Sequence, residues 1–166
     1  FYLPGALGDW IPFFIFVLAS FTDFLDGLLA RLYKEESRLG ELLDPIADKI
    51  IVASALVLLI MDQTIVNYEV IAAIIILTRE ILISGLREFL AASKISMPVT
   101  GLAKFKTFIQ MFAIAILLTG ESGNALVSFQ DYNAHTIGIV LLWLSAFLTL
   151  YTGYDYVKKG MDKVFD

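Results

Sequence analysis

Five apolar stretches, each close to the roughly 20 residues that cross a bilayer core as a helix, fill most of this chain. They run from Trp10 to Leu32, Leu39 to Met61, Val66 to Leu90, Leu102 to Thr119 and Thr136 to Val157. The links between them are short, and 166 residues leave no room for a soluble domain. Composition agrees: 58% of the residues are hydrophobic and 17% charged, where soluble chains carry roughly half and a quarter. Mean hydropathy is +0.79. The expectation is an all-α integral membrane protein, a single transmembrane domain over residues 1–166 bathed in membrane lipids, with no nucleic-acid partner. There is no cysteine, which excludes a disulfide framework and a thiolate metal site.

Charge placement orients the spans. If they cross in alternation, one set of links holds Tyr33 to Arg38, Ala91 to Gly101 and the C-terminal tail; the other holds Phe1 to Asp9, Asp62 to Ile65 and Gly120 to His135. All twelve Lys and Arg residues belong to the first set or to the helix halves on that side. The positive-inside rule makes that side cytoplasmic. Asp9, Asp62, Glu69, Glu121, Asp131 and His135 mark the outer side, with His135 read as a surface residue. Phe1 to Pro4 begin mid-pattern on the outer side, with neither an initiator Met nor a signal-peptide architecture. A further helix entering from the cytoplasm is therefore expected ahead of residue 1, for six in all with five visible. Trp10, Tyr132 and the aromatics from Trp143 to Tyr156 suit interfacial or packing positions, and Gly138 and Gly153 are candidates for close helix contact.

Polar residues break the apolar pattern most sharply in DFLDGLLARLYKEESRLGELLDPIAD, from Asp23 to Asp48. Asp23 and Asp26 are three apart and Asp44 and Asp48 four apart, so each pair shares a helix face. On antiparallel neighbours the pairs converge at the cytoplasmic end. Four carboxylates at that depth repel unless cations lie between them. Hard divalent ions with oxygen ligands, Mg2+ or a close substitute, fit best. Two such ions can clamp a pyrophosphate during displacement at phosphorus. Gly27 and Gly40 leave room for a ligand against backbone, and Arg31 offers phosphate a planar fork of donors. Blander alternatives stay open. Asp44 before Pro45 reads equally as an N-cap with proline in the first turn. Gly27 suits helix packing, and Lys34, Glu35 and Glu36 read as a solvated link.

The spacing Asp23-x2-Asp26-Gly27-x2-Ala30-Arg31-x8-Gly40-x3-Asp44-x3-Asp48 resembles, position for position, the signature of the CDP-alcohol phosphatidyltransferases. The resemblance implies a six-helix membrane enzyme, often homodimeric, that moves phosphatidyl from CDP-diacylglycerol to an alcohol and releases CMP. It implies two ions, Mg2+ or Mn2+, held by Asp23, Asp26 and Asp44, with Asp48 as a further ligand and the general base. It also implies a CDP-diacylglycerol site at Gly27, Ala30, Arg31, Ser37 and Gly40.

The acceptor bears on a second cluster. Arg79, Glu80, Ser84, Arg87 and Glu88 form RE-x3-S-x2-RE in the third span, and Lys104 and Lys106 open the fourth within GLAKFKT. Glu80, Ser84 and Arg87 share a face by their i, i+4, i+7 spacing. Arg79, read as about two turns inside its helix, suits a polar cavity. An acceptor-phosphate site at Arg79, Arg87, Lys104 and Lys106 would suit an alcohol bearing its own phosphate. The alternative pairs Arg87 with a glutamate and lets both lysines snorkel to the interface. REILISGLRE followed by GLAKFKT looks like the bacterial branch of the family whose acceptor is sn-glycerol 3-phosphate. That resemblance implies a multi-pass protein of the bacterial cytoplasmic (inner) membrane with its site facing the cytoplasm. Inositol phosphate or serine remains an alternative acceptor, and a divalent-cation transporter an alternative class.

Overall fold

A computed structural model describes residues 5–33, 38–93, 101–127 and 133–165, and the side chains among them except those of residues 23, 24, 26–33, 38–45, 164 and 165. Every regular element among the described residues is a helix: α1 (Ala6–Tyr33), α2 (Arg38–Met61), α3 (Glu69–Ala92), α4 (Gly101–Leu118), α5 (Gly120–Leu126) and α6 (Ala134–Phe165). The five apolar stretches are α1, α2, α3, α4 and α6, and most of them extend a few residues beyond the apolar run. The short α5 was not anticipated. Its sequence, GESGNAL, is too brief to show a 3.6-residue period.

Two glycines set the chain's direction at the end of the bundle where α1 begins. Gly120 has φ +53°, the left-handed region that other residues avoid, and this separates α4 from α5. Gly5 has φ +70° immediately before α1. Between α2 and α3, Gln63 and Asn67 also adopt positive φ, and the N–H groups of Thr64 and Ile65 both donate to the Leu59 carbonyl. This tight link buries Ile65 against the bundle.

The core runs between α2, α3, α4 and α6 and is built from Leu56, Leu59, Ala72, Ala73, Ile76, Ala113, Ile114, Leu117, Leu142 and Ala146. Small residues at these positions let helices approach closely, as membrane bundles require. Gly138 does so most sharply, because a Cβ there would lie 2.7 Å from Leu117 on α4. The heaviest packing is α4 on α6, followed by α3 on α6.

The outside of the bundle is apolar. Phe105, Phe108 and Phe112 are exposed on α4, as are Val140, Leu144, Phe147 and Tyr151 on α6. Contiguous apolar surface of this kind is rare on soluble monomers and suits a lipid face. By length and composition α4 and the Ala134–Lys163 stretch of α6 are apolar enough to cross a membrane. The remaining long helices carry polar groups inside their spans, and those groups build the site.

Candidate active site

The signature occupies the linked ends of α1 and α2, which pack on each other. Asp23 lies ten residues before the end of α1, and Asp48 ten residues after the start of α2. At a rise of about 1.5 Å per residue each is about 15 Å from the four-residue link. Asp26 and Asp44 match in the same way, about 10 Å from it. Counted along the two helices, the paired positions therefore lie equally far from the link. α2 begins at Arg38, so Asp44 and Pro45 lie within the helix, which removes the N-cap alternative.

Ser37 and the side chains of Asp23, Asp26, Gly27, Ala30, Arg31, Gly40 and Asp44 lie outside the described residues. Asp48 is described and exposed. Among the described residues no three His, Asp or Glu side chains group as metal ligands. By the chemistry of the donor set, aspartates at this spacing supply the hard oxygen donors that divalent cations take.

The second cluster is buried between α3, α4 and α6. The Lys106 ammonium pairs with Glu80 Oε1, and its side chain is only 3% exposed, so it does not snorkel. Glu80 Oε1 also lies 3.5 Å from Arg79 Nη1. Arg79 Nη2 donates to Thr152 Oγ1 at 3.1 Å. Arg87 is exposed, and its guanidinium carbon lies 6.0 Å from the centre of the Tyr156 ring, a cation–π approach. Arg79 and Lys106 thus share Glu80 as a common partner. Arg79 is deeper than the sequence suggested, about three and a half turns from the end of α3 at Ala92. Lys104 is exposed and, two residues from Lys106, lies on a different face of α4.

Polar groups invisible to the sequence reading continue this cluster inward. Gln110 Oε1, Ser145 Oγ, Thr149 Oγ1 and Arg79 Nε are buried without a hydrogen-bond partner among the described residues. Gln110 follows Lys106 by one turn on α4, and Ser145, Thr149 and Thr152 share one face of α6 at i, i+4, i+7. That hydroxyl ladder was the available signal.

The acidic outer set gathers at the other end. Asp9, Asp62, Glu121 and His135 line a polar cavity of about 630 Å³ with the α4–α5 turn and the α2–α3 link. His135 is not a bare surface residue: its Nε2 lies 2.8 Å from the Thr64 carbonyl, and its backbone N–H donates to Asn124. Asp9 accepts the Ser122 N–H at 2.9 Å. These bonds tie α1, α5, α6 and the α2–α3 link together.

Comparison with known proteins agrees with this arrangement. A curated relative from Rickettsia felis, named CDP-diacylglycerol–glycerol-3-phosphate 3-phosphatidyltransferase, is 44% identical over 158 residues, covering 95% of this chain and 83% of the relative. Relatives of the same name from Cereibacter sphaeroides and Haemophilus influenzae are 38% and 37% identical, cover all of this chain, and are themselves covered to 87% and 85%. The family model described as CDP-alcohol phosphatidyltransferase matches residues 2–151. With a match across both carboxylate pairs and the buried cations, the chain belongs to the CDP-alcohol phosphatidyltransferase family.

Proposed function

We propose that this protein transfers phosphatidyl from CDP-diacylglycerol to sn-glycerol 3-phosphate, giving phosphatidylglycerophosphate and CMP. The observation that supports the reading most is the ion network in which Glu80 meets both Lys106 and Arg79 between α3, α4 and α6, on a chain that also carries the aspartate signature. In this reading the two clusters are parts of one site, with the reacting phosphorus at one side and the acceptor at the other.

Arg79, Arg87 and Lys106 against Glu80 leave an excess of two positive charges, which matches a phosphate monoester dianion. Serine, with no phosphate, would offer these cations no dianion to meet. The names of the relatives point to glycerol 3-phosphate in preference to inositol phosphate. Lys104, at the open side of α4, adds a cation where an anionic acceptor approaches.

Asp23, Asp26, Asp44 and Asp48 would hold two divalent ions, which when bound neutralise the pyrophosphate and polarise the phosphorus under attack. Gly27, Ala30, Arg31, Ser37 and Gly40 bind the CDP-diacylglycerol head group. Asp48 takes the proton of the acceptor hydroxyl. The hydroxyl oxygen bonds to the diacylglycerol-linked phosphorus as the bond to CMP breaks. Arg79 and Lys106 hold the acceptor's own phosphate so that its hydroxyl meets Asp48 at short range.

In this reading the chemistry lies on the cytoplasmic face of a bacterial inner membrane, in a multi-pass, single-domain protein, and the clustering of basic residues on one side supports it. A homodimer belongs to the same reading, supported by the family resemblance. The test is incorporation of labelled sn-glycerol 3-phosphate into extractable lipid by purified enzyme with CDP-diacylglycerol and Mg2+. Incorporation that requires both substrates is expected. Labelling from inositol phosphate or serine instead would reassign the acceptor.

A further inference from the structure

Past residue 151, where the family match ends, α6 touches both arginines of the acceptor cluster. We propose that Thr152 and Gly153, with Tyr156 one turn further on, are positioning residues that fix Arg79 and Arg87 for the acceptor's phosphate. The inference rests on the acceptor role given to those arginines above.

Thr152 is 7% exposed. Its hydroxyl donates to the Leu148 carbonyl at 2.8 Å, which commits its proton, so a lone pair is left to accept from Arg79 Nη2 at 3.1 Å. A β-branched side chain in a helix has little rotational freedom, and the acceptor oxygen is therefore held in place. Gly153 supplies the matching notch. A Cβ at that position would lie 3.1 Å from Arg79 Cγ and 3.2 Å from its Nε, so the stem of the arginine rests on bare backbone. Glu80 meets the other end of the guanidinium at Nη1. Arg79 is thus fixed at its stem and at both terminal nitrogens, and this confines a long side chain that would otherwise sample several rotamers. One turn along, the Tyr156 ring carries Arg87.

Neither Thr152 nor Gly153 needs to touch substrate, because each acts through Arg79. The cost of misplacement should therefore fall on the acceptor and not on the lipid nucleotide. The experiment compares Thr152→Val, Thr152→Ser and Gly153→Ala with Arg79→Gln in purified full-length enzyme. KM for glycerol 3-phosphate, KM for CDP-diacylglycerol, kcat and the melting temperature in detergent are measured for each. Thr152→Val keeps the shape and removes the acceptor atom. It should raise KM for glycerol 3-phosphate about three- to tenfold, near the net size of one ordinary hydrogen bond, with KM for CDP-diacylglycerol unchanged. Thr152→Ser should restore it. Gly153→Ala forces the arginine stem aside by a few tenths of an ångström and should act in the same direction, since small displacements in a binding site are costly.

If Arg79→Gln raises KM for glycerol 3-phosphate while Thr152→Val and Gly153→Ala do not, the positioning role is overturned and the acceptor site stands. If the variants lower melting temperature and kcat without a KM split, α6 is only packing and the inference fails. If Arg79→Gln itself leaves KM for glycerol 3-phosphate unchanged, the acceptor reading fails first.

Discussion

Replacing Glu80 by Gln would leave a buried ammonium without its counter-charge. The Lys106 side chain is 3% exposed and Glu80 24%, and Glu80 also faces Arg79. Removing one partner of a fully buried pair costs about 3–5 kcal/mol. One feature reduces the figure here: Glu80 is partly open. About 2–3 kcal/mol remains, which for a chain of this size lowers the melting temperature by about 5–10 °C. Thermal scanning in detergent reads this directly. Glu80→Gln combined with Lys106→Met removes both charges and should recover more than half of the loss, because a neutral pair leaves no uncompensated charge. A Glu80→Gln melting temperature within about 2 °C of wild type would refute the pair's structural role. So would a double variant less stable than either single.

Three further outcomes follow from the same geometry. Gly138→Ala drives a Cβ to 2.7 Å from Leu117 and should cost about 1–3 kcal/mol by overpacking the α4–α6 seam, seen as a lower melting temperature. Asp9→Ala removes the acceptor of the Ser122 N–H and should cost about 1 kcal/mol; being at the outer end, it should leave KM for glycerol 3-phosphate unchanged in a steady-state assay. Chelation of divalent ions should abolish CMP release and added Mg2+ restore it; activity that survives exhaustive chelation would remove the metal role from the four aspartates.

The long helices were legible because burial in lipid demands uninterrupted apolar spans, and α2 and α4 end within a residue of where the apolar pattern stops. The aspartate signature was legible because each spacing repeats a helical turn, so a face can be read without a partner. Lys106 was harder. A basic residue near a helix start reads equally as a snorkelling or a buried side chain, and only the neighbour across the helix gap, Glu80, decides between them. Arg79 read as facing a polar cavity, but its partner Thr152 lies 73 residues away. Gly153 looked like any packing glycine until Arg79 was found against it. Long-range contacts of this kind leave no local period. His135 was misjudged for the same reason, since its partner, the Thr64 carbonyl, is 71 residues away.

CMP release by purified enzyme, with CDP-diacylglycerol and Mg2+ and with glycerol 3-phosphate, inositol 1-phosphate, serine or no acceptor, tests the central claim most directly. Asp48→Asn is run alongside, with metal binding followed separately. The account predicts release that requires glycerol 3-phosphate and is lost in Asp48→Asn. Equal release with serine, or full activity in Asp48→Asn, would contradict it.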